Sequence, residues 1–99
     1  MKILRLEMQL NGQHQVFEIR CNQDDYCNVQ DICSIFNNPA ALIIWKQKTG
    51  IKETDTIIDK PLEIIDGGEV WLHSWGAHRL GYMLDAEFGV KLFKALTTK

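Results

Sequence analysis

Three sets of residues in this 99-residue chain have side chains that could do chemistry. Cys21, Cys27 and Cys33 recur at intervals of six, C-x5-C-x5-C. Structural zinc sites draw paired ligands from tight turns at much shorter spacing, so this pattern predicts no metal. Cys33 falls on the apolar face of a predicted helix, as a core thiol does, and Cys21 and Cys27 flank a loop without a pattern that marks a nucleophile. His73 and His78 could in principle pass a proton. No carboxylate, serine or glycine-rich loop stands at a mechanistically useful spacing beside them, so neither catalysis nor a cofactor is expected. His73 reads better as a structural tie between a strand end and a helix start. The third set is Trp75, His78, Arg79 and Tyr82, which a helix would gather on one side. Trp, Tyr and Arg dominate protein-binding hot spots, and aromatic rings also stack on unpaired bases. The same two aromatics would equally fit beneath the N-terminal hairpin, and the sequence leaves both readings open.

The elements that must position these residues follow from periodicity. Leu4, Leu6, Met8 and Leu10 alternate with Arg5, Glu7 and Gln9, the period of a half-buried strand. Asn11-Gly12 is the dipeptide that best tolerates the positive φ angles of a type I′ turn, and a second strand runs to about Arg20. Asn28 caps a helix in an Asn/Asp variant of the capping box, with Asp31 reaching back. Val29, Ile32, Cys33 and Phe36 then share a face. Pro39 restarts a helix, with Asn38 as N-cap, that ends near Thr49-Gly50. Ile51 to Lys60 reads as short strand or loop. Leu62 to Ile65, Asp66-Gly67-Gly68 and Glu69 to His73 form a second hairpin. Ser74 caps a helix to Leu84 with Ala77, Leu80, Gly81 and Leu84 inward. Asp85 caps a last one with Phe88, Leu92, Ala95 and Leu96 inward. The predicted fold is a single α+β domain over residues 1–99 in the order β-β-α-α-β-β-α-α.

Composition narrows the function classes. Hydrophobic content of 45% and charged content of 24% suit a folded domain. Thirteen acidic side chains against 11 basic ones leave a net charge of -2, which supplies no bulk attraction to nucleic acid or to anionic membrane. No apolar run reaches the length of a membrane span, and the alternating N-terminus reads as a strand and not a signal peptide. An odd number of cysteines without such a peptide points to a reducing compartment.

Several motifs together resemble one family. "YCNVQDIC" (Tyr26 to Cys33), Trp45, "WLH" (Trp71 to His73) and "AHRLGYMLDAEFGVKL" (Ala77 to Leu92) are similar in order and spacing to the motifs of the KilA-N domain of phages and large DNA viruses. The matches span Tyr26 to Leu92, within a motif-bearing core over residues 26–96, and leave residues 1–21 as an N-terminal hairpin. It implies a winged-helix-like DNA-binding fold similar to the fungal APSES domain, a phage or mobile-element origin and the cytoplasm of a bacterial host. Carried over, residues 39–48 would form the groove-facing helix and the hairpin at Asp66-Gly67-Gly68 the wing. Asn38, Lys46, Gln47, Lys48 and Lys52 would then contact double-stranded DNA with weak to moderate affinity. Departures from the family pattern weaken that site. The family usually carries Lys or Arg where this helix begins, whereas this chain has "NNPAALII" (Asn37 to Ile44), and Ile43 and Ile44, on the side meant for DNA, cannot contact phosphate. Asp66 and Glu69 would repel phosphate at the wing.

Two expectations follow. The first is a small KilA-N-like DNA-binding module that could serve regulation. The second is a non-enzymatic inhibitor on the same fold that grips a host defence or regulatory complex through Ile43, Ile44, Trp75, His78, Arg79 and Tyr82. Either is compatible with a homodimer.

Overall fold

The computed structural model describes residues 1–97. Strands β1 (Lys2–Leu10) and β2 (Gln13–Cys21) pair over their full length, from Lys2 opposite Cys21 to Leu10 opposite Gln13. Asn11 and Gly12 form the turn with φ of 55° and 78°, the doubly left-handed turn their types favour. The short strand β3 (Tyr26–Asn28) leads directly into α1 (Val29–Ile35), and α2 (Ala41–Thr49) follows. Strands β4 (Thr56–Ile57) and β5 (Lys60–Pro61) make a separate small ladder. Strands β6 (Glu63–Asp66) and β7 (Glu69–His73) precede α3 (Ser74–Leu84) and α4 (Ala86–Thr97). The main sheet is antiparallel with the order β1-β2-β3-β7-β6.

This is an α+β domain, and three short strands stand beyond the predicted order. β3 reads in sequence as the lead-in to a capped helix, and its three residues are too few to show a period of two. Its placement makes β7 an inner strand. The β6–β7 hairpin is therefore built into the sheet at its base.

One face of the sheet carries Leu4, Leu6, Met8, Ile19, Cys21, Cys27 and Leu72 into the core. They pack with Val29, Ile32 and Cys33 of α1, Ala41 and Trp45 of α2, Ala77 and Leu80 of α3, and Phe88 and Leu92 of α4. Leu62, between β5 and β6, completes this core.

The caps follow local chemistry with three differences. Asn28 Oδ1 accepts from the Asp31 N–H at 2.9 Å, as expected of an N-cap. The Asp31 carboxylate does not reach back but binds Arg20. Asn38 does not cap α2: its carbonyl accepts from the Ala41 N–H in a tight turn through Pro39, and Ala40 opens the helix without a side-chain cap. α3 is capped by His73, whose Nδ1 accepts from the Trp75 N–H at 3.1 Å, in place of Ser74. That is the strand-to-helix tie expected of His73. Asp85 Oδ1 accepts from the Phe88 N–H, capping α4 as predicted.

The β4–β5 turn holds a strained residue. Ile58 and Asp59 have φ of 50° and 63°, a left-handed pair that suits Asn-Gly and opposes a β-branched side chain. Ile58 is also 90% exposed, so no packing offsets the strain. Left-handed backbone costs an L-residue roughly 1–2 kcal/mol. Ile58→Asn is expected to stabilise the domain by about 1 kcal/mol, seen as a melting temperature raised by roughly 4–8 °C. Leu80→Ala, at a fully buried position, should cost about 2–5 kcal/mol. Thermal melts of both variants check the pair.

Candidate functional site

The outer seam between α3 and α4 gathers the chemistry that the sequence singles out. The helices meet at Gly89, where an added Cβ would stand 2.6 Å from the Tyr82 Cα, so only glycine permits this approach. Close packing brings His78 of α3 edge-on to Phe93 of α4, ring centres 5.0 Å apart. Beside His78, the Arg79 guanidinium lies 4.0 Å from the centre of the ring of Trp75, one turn before it, a cation–π pair. Arg79 is held in place by donating one N–H to the Trp75 carbonyl at 2.9 Å. The same nitrogen stands 3.0 Å from His78 Nε2, which accepts when the ring proton is on Nδ1.

Two shallow grooves run along this seam and share His78 and Phe93. One, of about 320 Å³, is lined by Ser74, Trp75, His78, Arg79, Phe93 and Leu96 together with Thr97. The other, of about 340 Å³, lies between His78, Tyr82, Val90, Phe93 and Lys94. Tyr82 and Phe93 are half exposed, at 50% and 48%. Trp75 is half-buried, its body against the core and its other face under Arg79. It is therefore part core and part surface, which neither sequence reading anticipated. Among the described residues no carboxylate pairs with Arg79 or Lys94.

The residues expected at DNA form no comparable site. Lys46 turns inward to a salt bridge with Glu63, whose side chain is only 8% exposed. The ammonium is the charge partner of Glu63 Oε1, which is buried without a hydrogen bond of good geometry. Lys46 is thus committed inside the fold, because burying Glu63 alone would be costly. Gln47, Lys48 and Lys52 are exposed, and the Lys52 N–H is bound by the carboxylate of Asp55. Asn38 and Pro39 line a separate groove of about 420 Å³ with Val29, Gln30, Cys33 and Ser34. Ile43 is 60% exposed, while Ile44 is half-buried. At the β6–β7 hairpin Asp66 is exposed, but Glu69 does not face outward: it binds Arg20 and Asn28.

The cysteines lie in the core. All three are free and buried, and Cys21 and Cys27 face each other across β2 and β3 with Sγ atoms 3.3 Å apart. Hydrogen bonding to Cys21 and burial push the Cys27 thiol well above its usual range, and burial raises Cys33. Raised in this way, Cys27 and Cys33 are poor nucleophiles and poor ligands. Among the described residues no group of three or more His, Cys, Asp or Glu side chains could hold a metal. No described helix is long and apolar enough to cross a membrane.

No protein-family model, curated protein or solved structure matches this chain.

Two residues outside the predicted site belong with the exposed features. Phe93 completes the α3–α4 face, and the available signal was an aromatic lying off the Phe88, Leu92, Ala95 and Leu96 stripe. Ile58 had no comparable signal, since its strain appears only with the backbone.

Both histidines bearing on this face favour the neutral form. Burial lowers the pKa of His78, with the neighbouring Arg79 charge second, and burial followed by Lys60 lowers that of His73. The unfolded chain therefore takes up protons that the folded chain resists. Their contribution to stability is present above the ordinary histidine pKa of about 6.5 and is lost as pH falls toward the depressed folded values. The melting temperature should decline from pH 7 to pH 5, and His78→Gln should flatten that slope.

Proposed function

We propose that this chain is a non-enzymatic protein-binding domain that engages its partner through the outer α3–α4 seam. The observation that carries the reading is the Arg79–Trp75 stack beside the His78–Phe93 pair. It offers a cation and aromatic surface that the chain's own bonds already hold in position. A side chain ordered before contact loses less entropy on binding, so more of its interaction energy appears as affinity. Tyr82 extends the surface along the seam, and the grooves on either side of Phe93 accept small apolar side chains. An inhibitor of a host defence or regulatory complex, encoded by a phage or other mobile element and working in the bacterial cytoplasm, is the biological form this reading takes. That provenance rests on the KilA-N resemblance. The motif residues Tyr26, Asn28, Trp45, Trp71 and Phe88 are buried, so what they support is the packing of a domain and not a contact surface.

DNA binding is the second reading, favoured by exposed Lys48 and Lys52 beside Gln47 at the end of α2. With Lys46 committed to Glu63, two phosphate contacts remain. The slope of log affinity against log salt should then be roughly -2.

The experiment is an affinity pull-down from host lysate, with and without nuclease, using wild-type protein and Arg79→Ala. A partner that resists nuclease and is lost with Arg79→Ala supports the protein-binding reading. Removing a central Arg anchor commonly costs about 2 kcal/mol, roughly thirtyfold in affinity. Because Arg79 is exposed, the melting temperature should barely move. Trp75→Ala should lose the partner and also some stability. A partner retained at full strength by Arg79→Ala and Tyr82→Ala together would remove this face from consideration, and capture abolished by nuclease would favour DNA.

A further inference from the structure

β1 is a nine-residue strand at one end of the main sheet. Residues flanking a two-residue hairpin turn exchange both their hydrogen bonds, so Leu10, and with it Met8, Leu6 and Leu4, bonds to β2. Ile3, Arg5, Glu7 and Gln9 must then direct their N–H and C=O groups to the open edge. The Glu7 carbonyl agrees with this phase, since it accepts from the Lys91 ammonium of α4 instead of from β2. A long strand edge of this kind is a template for another strand, and Lys91 covers it at one point only.

We propose that the β1 edge is a homodimer interface, on which β1 of a second copy pairs antiparallel about Leu6. This goes beyond the α3–α4 reading and does not depend on it. The occupant is identified by complementarity of the strand with itself. In the register centred on Leu6, Leu6 faces the second copy's Leu6 and Leu4 faces its Met8, joining apolar residues on the core side. On the outer side Arg5 stands directly opposite the second copy's Glu7, and by symmetry Glu7 opposite its Arg5. Opposite charges directly across a ladder stabilise pairing, and like charges oppose it. Arg5 is already turned toward Glu18 across the hairpin at 3.2 Å, so in the pair it would lie between two carboxylates. The same register sets Ile3, which is 51% exposed, opposite Gln9 and uses all nine residues of the strand. It also pairs the outward-facing residues with one another, as an antiparallel ladder requires. Moving the centre to Glu7 would put Glu7 opposite Glu7 and shorten the overlap. The N–H of the second copy's Arg5 would replace Lys91 on the Glu7 carbonyl, so dimerisation frees the ammonium of Lys91.

The test is sedimentation of the full chain across a concentration series for wild type, Arg5→Glu, Glu7→Arg and the double swap. Melted at a concentration low enough for all to be monomeric, Glu7→Arg should match the wild type, while Arg5→Glu and the double swap should melt slightly lower, because the new carboxylate opposes Glu18. The wild type should show a monomer–dimer equilibrium. Each single swap should weaken it by about tenfold or more, and the double swap should restore it. The register is checked by mixing Ile3→Cys with Gln9→Cys protein under mild oxidation, which should cross-link the two different chains more readily than either alone. A monomer at every concentration, a dimer indifferent to the single swaps, or a failure of the double swap to rescue would each overturn the proposal. None of these results bears on capture through Arg79.

Discussion

The guanidinium of Arg20 joins three segments of the chain, β2, the start of α1 and β7. It donates through Nε to Asp31 Oδ2 at 2.9 Å and through one terminal nitrogen to Asp31 Oδ1 at 3.0 Å. Both terminal nitrogens reach the Glu69 carboxylate, at 2.8 and 3.2 Å. Glu69 also accepts from Asn28 Nδ2, and Asn28 caps α1 through its other side-chain atom. The Arg20 N–H itself goes to Asp31. One planar cation thus ties β2 to the first turn of α1 and to β7, while the fully buried Asn28 fixes where β3 ends. Its bonds to two carboxylates hold Arg20 charged far beyond any ordinary pH, and Arg20, then Asn28, keep Glu69 below the usual carboxylate range. Stability from Glu69 is therefore present above the ordinary carboxyl pKa and disappears as pH falls through its depressed folded value. The paired geometry is worth more than its charge count, since a bidentate guanidinium fixes orientation as well as distance.

With β7 held in this way, the start of α3 is set. β7 runs into α3 through His73, whose ring meets Tyr26 edge-on while its Nδ1 caps the helix. The Tyr26 hydroxyl in turn donates to the Pro61 carbonyl, which draws the β4–β5 ladder against the sheet. Gly89 then lets α4 lie close on α3, and Leu80 and Leu92 fill the space below the seam. The outward surface of that seam is a consequence of these inward constraints. Ala77, Leu80 and Gly81 must face the core, so Arg79 and Tyr82 cannot.

Half of the described cations in this domain are engaged by its own carboxylates. Arg20 serves Asp31 and Glu69, Lys46 serves Glu63, Lys2 faces Asp25 and Arg5 faces Glu18. With half of its described cations paired within the fold and a net charge of -2, the chain offers little net field to a phosphate backbone. Arg79 stands apart because its nearest partners are an aromatic face, a carbonyl and a neutral imidazole. None of those cancels its charge, so it stays available to an anionic or aromatic group on another surface.

What could be read from the chain alone was what depends on neighbours in sequence. The Asn11-Gly12 turn, the alternation of β1, the Gly50 end of α2 with φ of 74° and the inward stripe of α3 all follow from local backbone preference and periodicity. So did the α+β class, the caps at Asn28 and Asp85, and the grouping of Trp75, His78, Arg79 and Tyr82. What only the tertiary structure decided was which charged and aromatic side chains meet across long separations. Nothing near Lys46 in sequence shows that Glu63 will bury its ammonium, and nothing near Glu69 shows that it turns from the hairpin tip to Arg20. The three-residue strand β3 is likewise invisible locally, because it exists only through its neighbours β2 and β7. Phe93 joined the face for the same reason: a helix's period tells which residues share a side, but only the packing of α4 on α3 tells which sides of two helices come together.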